Sequence, residues 1–244
     1  MTTQPSLPRN RLLAGLPSDV LTQLLPKLSH VFLSIRQTLC TAEQPIEAVY
    51  FIESGMASMV TQLEDGVQAE VGIIGCEGML GMPLVHGIDT SFTDGFVQIA
   101  GTALRMSASV FRQELIANPP LRIILLRYGE AYQAQISQTA ACNGRHGLEQ
   151  RLARWLLMAH DRVERDEVPL TQDFLAMMLG VHRPSITITA GILQRAGLIR
   201  YANGHIAILD RPNLEASSCE CYAAVRQRFE RLLGKSTRSG MYGT

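Results

Sequence analysis

The stretch His182-Arg183-Pro184-Ser185 gathers side chains suited to one kind of chemistry, the recognition of a polyanion. An arginine guanidinium gives two parallel hydrogen bonds to guanine O6 and N7. Histidine and serine donate to phosphate oxygens, and a helix starting at this point adds open backbone N–H groups and the positive end of its dipole. Thr187 and Ile188 follow one turn on, and Thr171 and Gln172 open the preceding segment. A solvated surface arginine would look the same in isolation, so the surrounding elements decide the matter.

Other reactive side chains point to less. The five cysteines, Cys40, Cys76, Cys142, Cys219 and Cys221, are odd in number, scattered and without a Cys-x-x-Cys pair. That pattern fits reduced thiols, not a disulfide framework, and Cys219-Glu220-Cys221 is too tight for the usual zinc knuckle. An oxygenase on a small β-barrel would need two histidines and a carboxylate together. His30 and His86 are the only histidines of the β-rich segment, lie far apart and form no His-x-His pair. No catalytic residue, metal site or cofactor is expected.

The elements that position His182 and Arg183 lie between Leu170 and Leu209. Thr171 is a natural N-cap, and Gln172 to Leu179 then forms a short helix with Leu175, Met178 and Leu179 inward. Ala176 is small where a second helix must cross closely, and Gly180 supplies the tight turn. His182 opens the next helix with Arg183 and Pro184 in its first turn, where proline loses no hydrogen bond. That helix buries Ile186, Ala190 and Leu193, runs to Arg195 and stops at Gly197. The β-branched alternation of "PSITITAG" argues for a strand, but the caps and turns on either side outweigh it. "LIRYANGHIAIL" reads as a hairpin about Asn203-Gly204, a favoured two-residue turn pair. Helix, glycine turn, helix and hairpin make a winged helix-turn-helix, in which the start of the second helix faces the major groove.

Two further segments precede this one. Up to about Arg112 the chain is β-rich after a helix with Val20, Leu21, Leu24, Leu25 and Leu28 on one stripe. The runs "AVYFIES", "MASMVTQL", "QAEVGII" and "GFVQIA", separated by "ESG", "EDG", "GCEG" and "TDG", suggest an antiparallel sandwich or barrel, with a hairpin turn at Asp65-Gly66. A long helix follows, with Asn118 as N-cap and Pro119 at its first position. Leu121, Leu125, Tyr128, Tyr132 and Ile136 form one stripe, with Ala131, Gln135 and Thr139 beside it. The stripe fits a helix packed on its own β domain, and the helix length favours a dimer seam. Asn143-Gly144 is read as its stop and a hinge, and Pro169 as a break in the chain. The segment from Arg211 to Gly234 is read as one amphipathic helix, with Leu214, Tyr222, Val225, Phe229 and Leu232 inward.

Net charge is +0, and the two halves differ. Residues 1–144 hold 8 basic and 12 acidic residues, a balance of −4. Residues 145–244 hold 14 and 10, a balance of +4, and all but one of those bases are arginine. "MTTQPSLPRN" lacks the basic and apolar regions of a secretory signal, and no apolar run is long enough to span a membrane, so a cytoplasmic location is expected.

These motifs together resemble the Crp/Fnr (cyclic-AMP receptor protein/Fnr) family of bacterial transcription regulators over nearly the whole chain. "IEAVYFIESGMASMVTQLEDGVQAEVGIIGCEGMLGMP" is similar to the family's β-roll, "FRQELIANPPLRIILLRYGEAYQAQI" to its closing strand and dimer helix, and "LTQDFLAMMLGVHRPSITITAGILQRAGLIRY" to its DNA-binding motif. The resemblance implies an α+β fold. A β-roll sensor of the cyclic-nucleotide-binding jelly-roll type would occupy residues 1–117 and a dimerisation helix 118–143. A winged helix-turn-helix would occupy 144–213 and a C-terminal helix 214–234, with a disordered tail over 235–244. It further implies a homodimer on an inverted repeat of double-stranded DNA, with Thr171, Gln172, His182, Arg183, Pro184, Ser185, Thr187 and Ile188 at the DNA. RNA polymerase is a further candidate partner; the small-molecule effector stays open, and no membrane is involved.

The sequence departs from the family in two places. Nucleotide-binding members carry a Gly-Glu pair for the ribose and an Arg-Ser or Arg-Thr pair for the phosphate. Here Gly81 is followed by Met82, and "GIDTSFTDG" holds no basic residue. A buried phosphate without a cation is costly, so cyclic AMP is not the expected ligand. The N-terminal cysteine cluster of the iron–sulfur members is also absent from the sequence. The cyclic-AMP receptor's Arg-Glu start and second Arg are matched here by Arg183, Pro184 and Ile188, the latter two suited to thymine methyls. A different preferred DNA site follows. The competing reading is a ligand-binding regulatory module that acts on a protein partner without reading DNA.

Overall fold

A computed structural model describes residues 7–64, 66–163 and 167–235. The chain is mixed helix and sheet. It divides into one compact unit from Met1–Ala57 and Ile74–Glu130, and a second from Ser58–Ile73 and Ala131–Thr244. The expected hairpin turn at Asp65 and the tail beyond Lys235 lie outside the described residues.

The first unit begins with helix α1 (Arg11–Ala14) and helix α2 (Ser18–Leu24), the latter tightening into a 3-10 turn at Leu25–Lys27. Asn10 fastens this start to the sheet. Its Oδ1 accepts from the Leu12 and Leu13 amides, and its Nδ2 donates to the Ile52 and Gly78 carbonyls at 2.9 and 2.8 Å. A fully buried asparagine is tolerated because each of those polar groups is paired.

The strands are β1 (Ser29–Leu33), β2 (Thr38–Cys40), β3 (Ala48–Gln62), β4 (Gln68–Ile74), β5 (Met79–Leu80) and β6 (Asp94–Ser107). They order as β1-β6-β3-β4, with β2 on β6 and β5 on β3. The β1, β2 and β5 pairings are antiparallel, with Ser29 opposite Arg105 and Leu33 opposite Gly101. The "ESG" signal is no turn: β3 runs straight through it. Gly55 has φ 79°, and a Cβ there would lie 2.4 Å from the Ile99 carbonyl oxygen. The glycine marks a close backbone crossing inside a strand, where the sequence suggests a break between two strands. Phe51 and Phe111 meet edge to face in the core, with ring centroids 6.4 Å apart.

Helix α3 (Ala108–Ala117) leads into helix α4 (Pro119–Arg145). Two expectations about α4 need correcting. The helix does not stop at Asn143-Gly144. It continues to Arg145, and the His146 amide still bonds the Cys142 carbonyl at 3.0 Å. The expected stripe is also only partly available to a second copy. Leu121, Leu125 and Tyr128 are buried within the first unit, and the Tyr128 hydroxyl donates to the Met79 carbonyl at 3.3 Å. The large apolar side chains that α4 leaves in solvent are Ile123 and Leu126, 50% and 42% exposed.

In the second unit, helix α5 (Leu148–His160) precedes strand β7 (Glu167–Pro169), helix α6 (Gln172–Leu179) and helix α7 (Arg183–Arg195). Strands β8 (Ile199–Ala202) and β9 (His205–Ile208) follow, and then helices α8 (Arg211–Ser217) and α9 (Cys221–Leu233). Pro169 ends a strand that pairs with β9, so the wing has three strands in the order β7-β9-β8. The single helix expected from Arg211 to Gly234 is two. Ser218 is extended at φ −80°, ψ 167°, and its hydroxyl bonds the Glu215 carbonyl, which ends α8. Arg211 ties the pair back to α5 through Asp161 at 2.5 Å, and the Tyr222 hydroxyl donates to the same carboxylate at 2.9 Å.

Glu70 on β4 is held by Trp155 Nε1 and the Ser58 hydroxyl, each donating at 2.6 Å. Burial pushes its carboxyl up to about 7, against the two hydrogen bonds and the Arg162 and Arg154 charges. The raised folded-state value sets the sign of the pH dependence. Below the unfolded value both states hold the proton and no penalty applies. As pH rises towards about 7 the unfolded chain ionises first, so the stabilisation is lost over that window. Glutamine keeps an acceptor for Trp155 and offers an amide N–H to the Ser58 oxygen. Glu70→Gln should therefore match the wild type at low pH and exceed it by on the order of 3 kcal/mol at pH 8. Urea unfolding of both proteins across that range measures the difference, and a difference independent of pH would contradict it.

Candidate nucleic-acid interface

The candidate interface is the α6–α7 pair and its wing. Thr171 caps α6, its Oγ1 accepting from the Phe174 amide at 3.3 Å, and its hydroxyl proton is not needed for that bond. Gly180 ends α6 in the left-handed region at φ 61°, a conformation that glycine adopts without strain. Leu175, Ala176, Met178 and Leu179 are buried on one side of the turn, and Ile186, Ala190 and Leu193 on the other.

α7 is helical in spite of its β-branched run. Thr189 turns its hydroxyl back to the Ser185 carbonyl at 2.8 Å, which satisfies it inside the helix. His182 stands at the N-cap position without a side-chain capping bond, and Pro184 occupies the first turn. The side chains of His182, Arg183, Pro184, Thr187 and Ile188 are exposed, and Ser185 is half-buried. Gln172 is not independent of α7, since its Oε1 accepts from the Thr187 hydroxyl at 2.7 Å. That contact aligns the starts of the two helices.

Asp173 is the residue that sequence reasoning missed here. Its carboxylate lies 3.4 Å from Arg183 Nε, an exposed pair that restrains the arginine and contributes little to stability. Its one sequence signal is its place in the first turn of α6, where an acid complements the helix dipole. The wing turn is of the expected kind, with Asn203 and Gly204 at φ 51° and 76°. The Gly204 carbonyl accepts from the Leu170 amide at 2.7 Å, so the wing tip is tied to the entry of α6. The eight expected contact residues thus stand at the N-cap positions and in the first two turns of α6 and α7. Four metal-ligating side chains, Cys142, His146, Cys219 and Cys221, also come together among the described residues, outside this face.

A family model for the Crp-like helix-turn-helix domain matches residues 150–217. No curated protein matches the chain. Solved structures do. A CRP-family transcriptional regulator of Thermus thermophilus is 20% identical with a TM-score of 0.62, covering 77% of this chain and 96% of its own. FixK2 of Bradyrhizobium japonicum is 13% identical with a TM-score of 0.64, covering 79% and 98%. CLP of Xanthomonas campestris, a global regulator responsive to c-di-GMP, is 16% identical with a TM-score of 0.63, covering 79% and 99%. At these identities the likeness speaks for the fold, which is that of a cyclic-nucleotide-binding-like domain with a helix-turn-helix. Among the described residues no helix is long and apolar enough to cross a membrane. The helix-turn-helix matches the Crp-like model, and the fold of the chain is the one that these solved CRP-family and related regulators have.

Proposed function

We propose that the protein is a homodimeric, sequence-specific DNA-binding regulator that reads an inverted repeat with the start of α7. The observation that carries this reading is Arg183, exposed in the first turn of a helix whose opposite side is locked into a core by Ile186, Ala190 and Leu193. A guanidinium so placed meets guanine O6 and N7 when the helix enters the major groove. Thr171, His182 and Ser185 lie where phosphate contacts set the register, and Pro184 and Ile188 offer apolar surface to thymine methyls. Ile123 and Leu126 supply the seam for a second copy. Enrichment of bound sequences from a randomised DNA pool tests the reading. An inverted repeat with half-site centres about 10 base pairs apart supports it. Enrichment of no sequence over the starting pool contradicts it.

On the same reading the β-rich unit does not bind cyclic AMP. Met82 stands where a ribose carboxylate is needed. In the loop over residues 87–95 the Ser91 hydroxyl is spent locally, donating to the Thr93 carbonyl at 2.7 Å and accepting from the Thr93 amide at 3.2 Å. Asp94 adds a negative charge, accepting from the Ala42 amide at 2.8 Å. One arginine does approach the loop from outside it: Arg112 of α3 pairs with Asp89 at 2.6 Å. That guanidinium is already engaged and exposed, and so is unsuited to clamp a buried phosphate. Calorimetry should detect no cyclic AMP binding at micromolar concentrations, and a tight isotherm would refute the assignment.

A further inference from the structure

We propose that Cys142, His146, Cys219 and Cys221 form a closed tetrahedral site for a single zinc(II) ion. The site draws on two parts of the second unit. Cys142 and His146 are four residues apart at the end of α4, and the helical bond between their backbones puts both side chains on one face. Cys219 lies in the break between α8 and α9, and Cys221 is the first residue of α9.

The distances are those of one ion. Cys142 Sγ lies 3.5 Å from Cys219 Sγ, and Cys221 Sγ lies 3.5 Å from His146 Nδ1. All four ligand atoms fall within 4.8 Å of one another. Zinc–sulfur bonds of about 2.3 Å and a zinc–nitrogen bond of about 2.0 Å place the corners of a tetrahedron about 3.5–3.8 Å apart. A four-iron cluster holds its thiolates farther apart, so the spacing selects a mononuclear site. Three sulfurs and one nitrogen in tetrahedral array are the donor set that suits zinc.

The surroundings support the ligands. His146 Nε2 lies 3.3 Å from Glu220 Oε1, which places the ring proton on Nε2 and turns the Nδ1 lone pair towards the sulfurs. A carboxylate behind a ligating histidine is the usual outer-shell arrangement in zinc sites. Gln138 Nε2 donates to Cys221 Sγ at 3.0 Å, which fixes the sulfur's position. Three buried thiols packed as small apolar groups would account for the sulfurs alone. They would give no reason for a histidine directed at them and a carboxylate behind it. Binding displaces three thiol protons, and the dication with three thiolates and a neutral imidazole carries a charge of −1. The ion would join chain segments 77 residues apart at Cys142 and Cys219, and the site stands independently of the DNA-reading assignment.

The test is cobalt(II) titration of the full chain, purified under reducing conditions and stripped of metal, followed by optical absorption. The proposal expects intense visible bands of tetrahedral cobalt and thiolate charge-transfer bands that saturate at one ion per chain. One equivalent of zinc(II) should then abolish them. His146→Ala and Cys219→Ser should lose the tetrahedral spectrum, and Glu220→Gln should weaken cobalt binding by about 10–100-fold. His146→Cys restores a fourth ligand and should recover a tetrahedral spectrum, which separates lost ligation from lost fold. Weak octahedral bands, sub-stoichiometric saturation or spectra unchanged in His146→Ala would overturn the proposal. So would recovery of Cys142 and Cys219 as a disulfide in chain isolated without reductant but with zinc supplied.

Discussion

Ile123→Glu combined with Leu126→Glu should leave the chain folded, monomeric at micromolar concentration, and weaker on its inverted repeat by about 10²–10⁴-fold. The direction follows from exposure. Both side chains stand in solvent, half or nearly half exposed, whereas their neighbours Leu121, Leu125 and Tyr128 are enclosed. Charges at 123 and 126 therefore leave the core intact and burden a two-fold seam with four like charges. Each recognition helix alone then binds a half-site without the effective concentration that its partner supplies. Sedimentation gives the oligomeric state and fluorescence anisotropy the affinity. A doubly substituted chain that remains dimeric would move the seam elsewhere. Leu125→Ala is the contrasting control. It should cost about 2–5 kcal/mol of fold stability, since it opens a cavity in the core.

Arg183→Ala should cost on the order of 1–3 kcal/mol at each half-site and relax preference at one base pair of each. Both half-sites of a dimer carry the change, so the two losses compound on the full repeat. Asp173 holds Arg183 through Nε in an exposed pair, and the pair's loss has little effect on folding. Thr171 and His182 should behave differently. Alanine at either should weaken binding to preferred and scrambled DNA alike, because phosphates carry no sequence information directly. Measurements at one fixed salt concentration are needed for the comparison. An Arg183→Ala protein that loses equally on both DNAs would make Arg183 a phosphate contact and shift specificity to Ser185, Thr187, Ile188 or DNA shape.

What could be read from the sequence follows the range of the chemistry involved. The bounds of α6 and α7 were legible because Thr171, Gly180, His182 and Gly197 act within a few residues of themselves. The Asn203-Gly204 turn is local in the same way. Gly55 misled because its reason for being glycine is a carbonyl at Ile99, invisible without the fold. Asn143-Gly144 reads as a stop, yet nothing breaks the hydrogen-bond ladder there, and a weak helix former persists inside a long helix. The gap between α8 and α9 lies in "SSCE", where the Ser218 hydroxyl competes for a carbonyl of its own helix. The cysteines show the same limit most clearly. Cys219 and Cys221 are too close together to form a site alone, and their partners are Cys142 at the end of α4 and His146 just beyond it, more than 70 residues earlier.

The assignment of α7 as the reading helix is tested most directly by methylation interference. Guanine N7 methylation blocks an arginine that uses that atom, and it leaves contacts to phosphate untouched. The selected inverted repeat, partially methylated, would be divided into bound and free fractions by the wild-type dimer and by Arg183→Ala. The account predicts interference at one guanine in each half-site, symmetric about the dyad, and its disappearance with Arg183→Ala. Equal methylation of bound and free DNA with the wild-type protein, or an interference pattern that Arg183→Ala leaves unchanged, would contradict it.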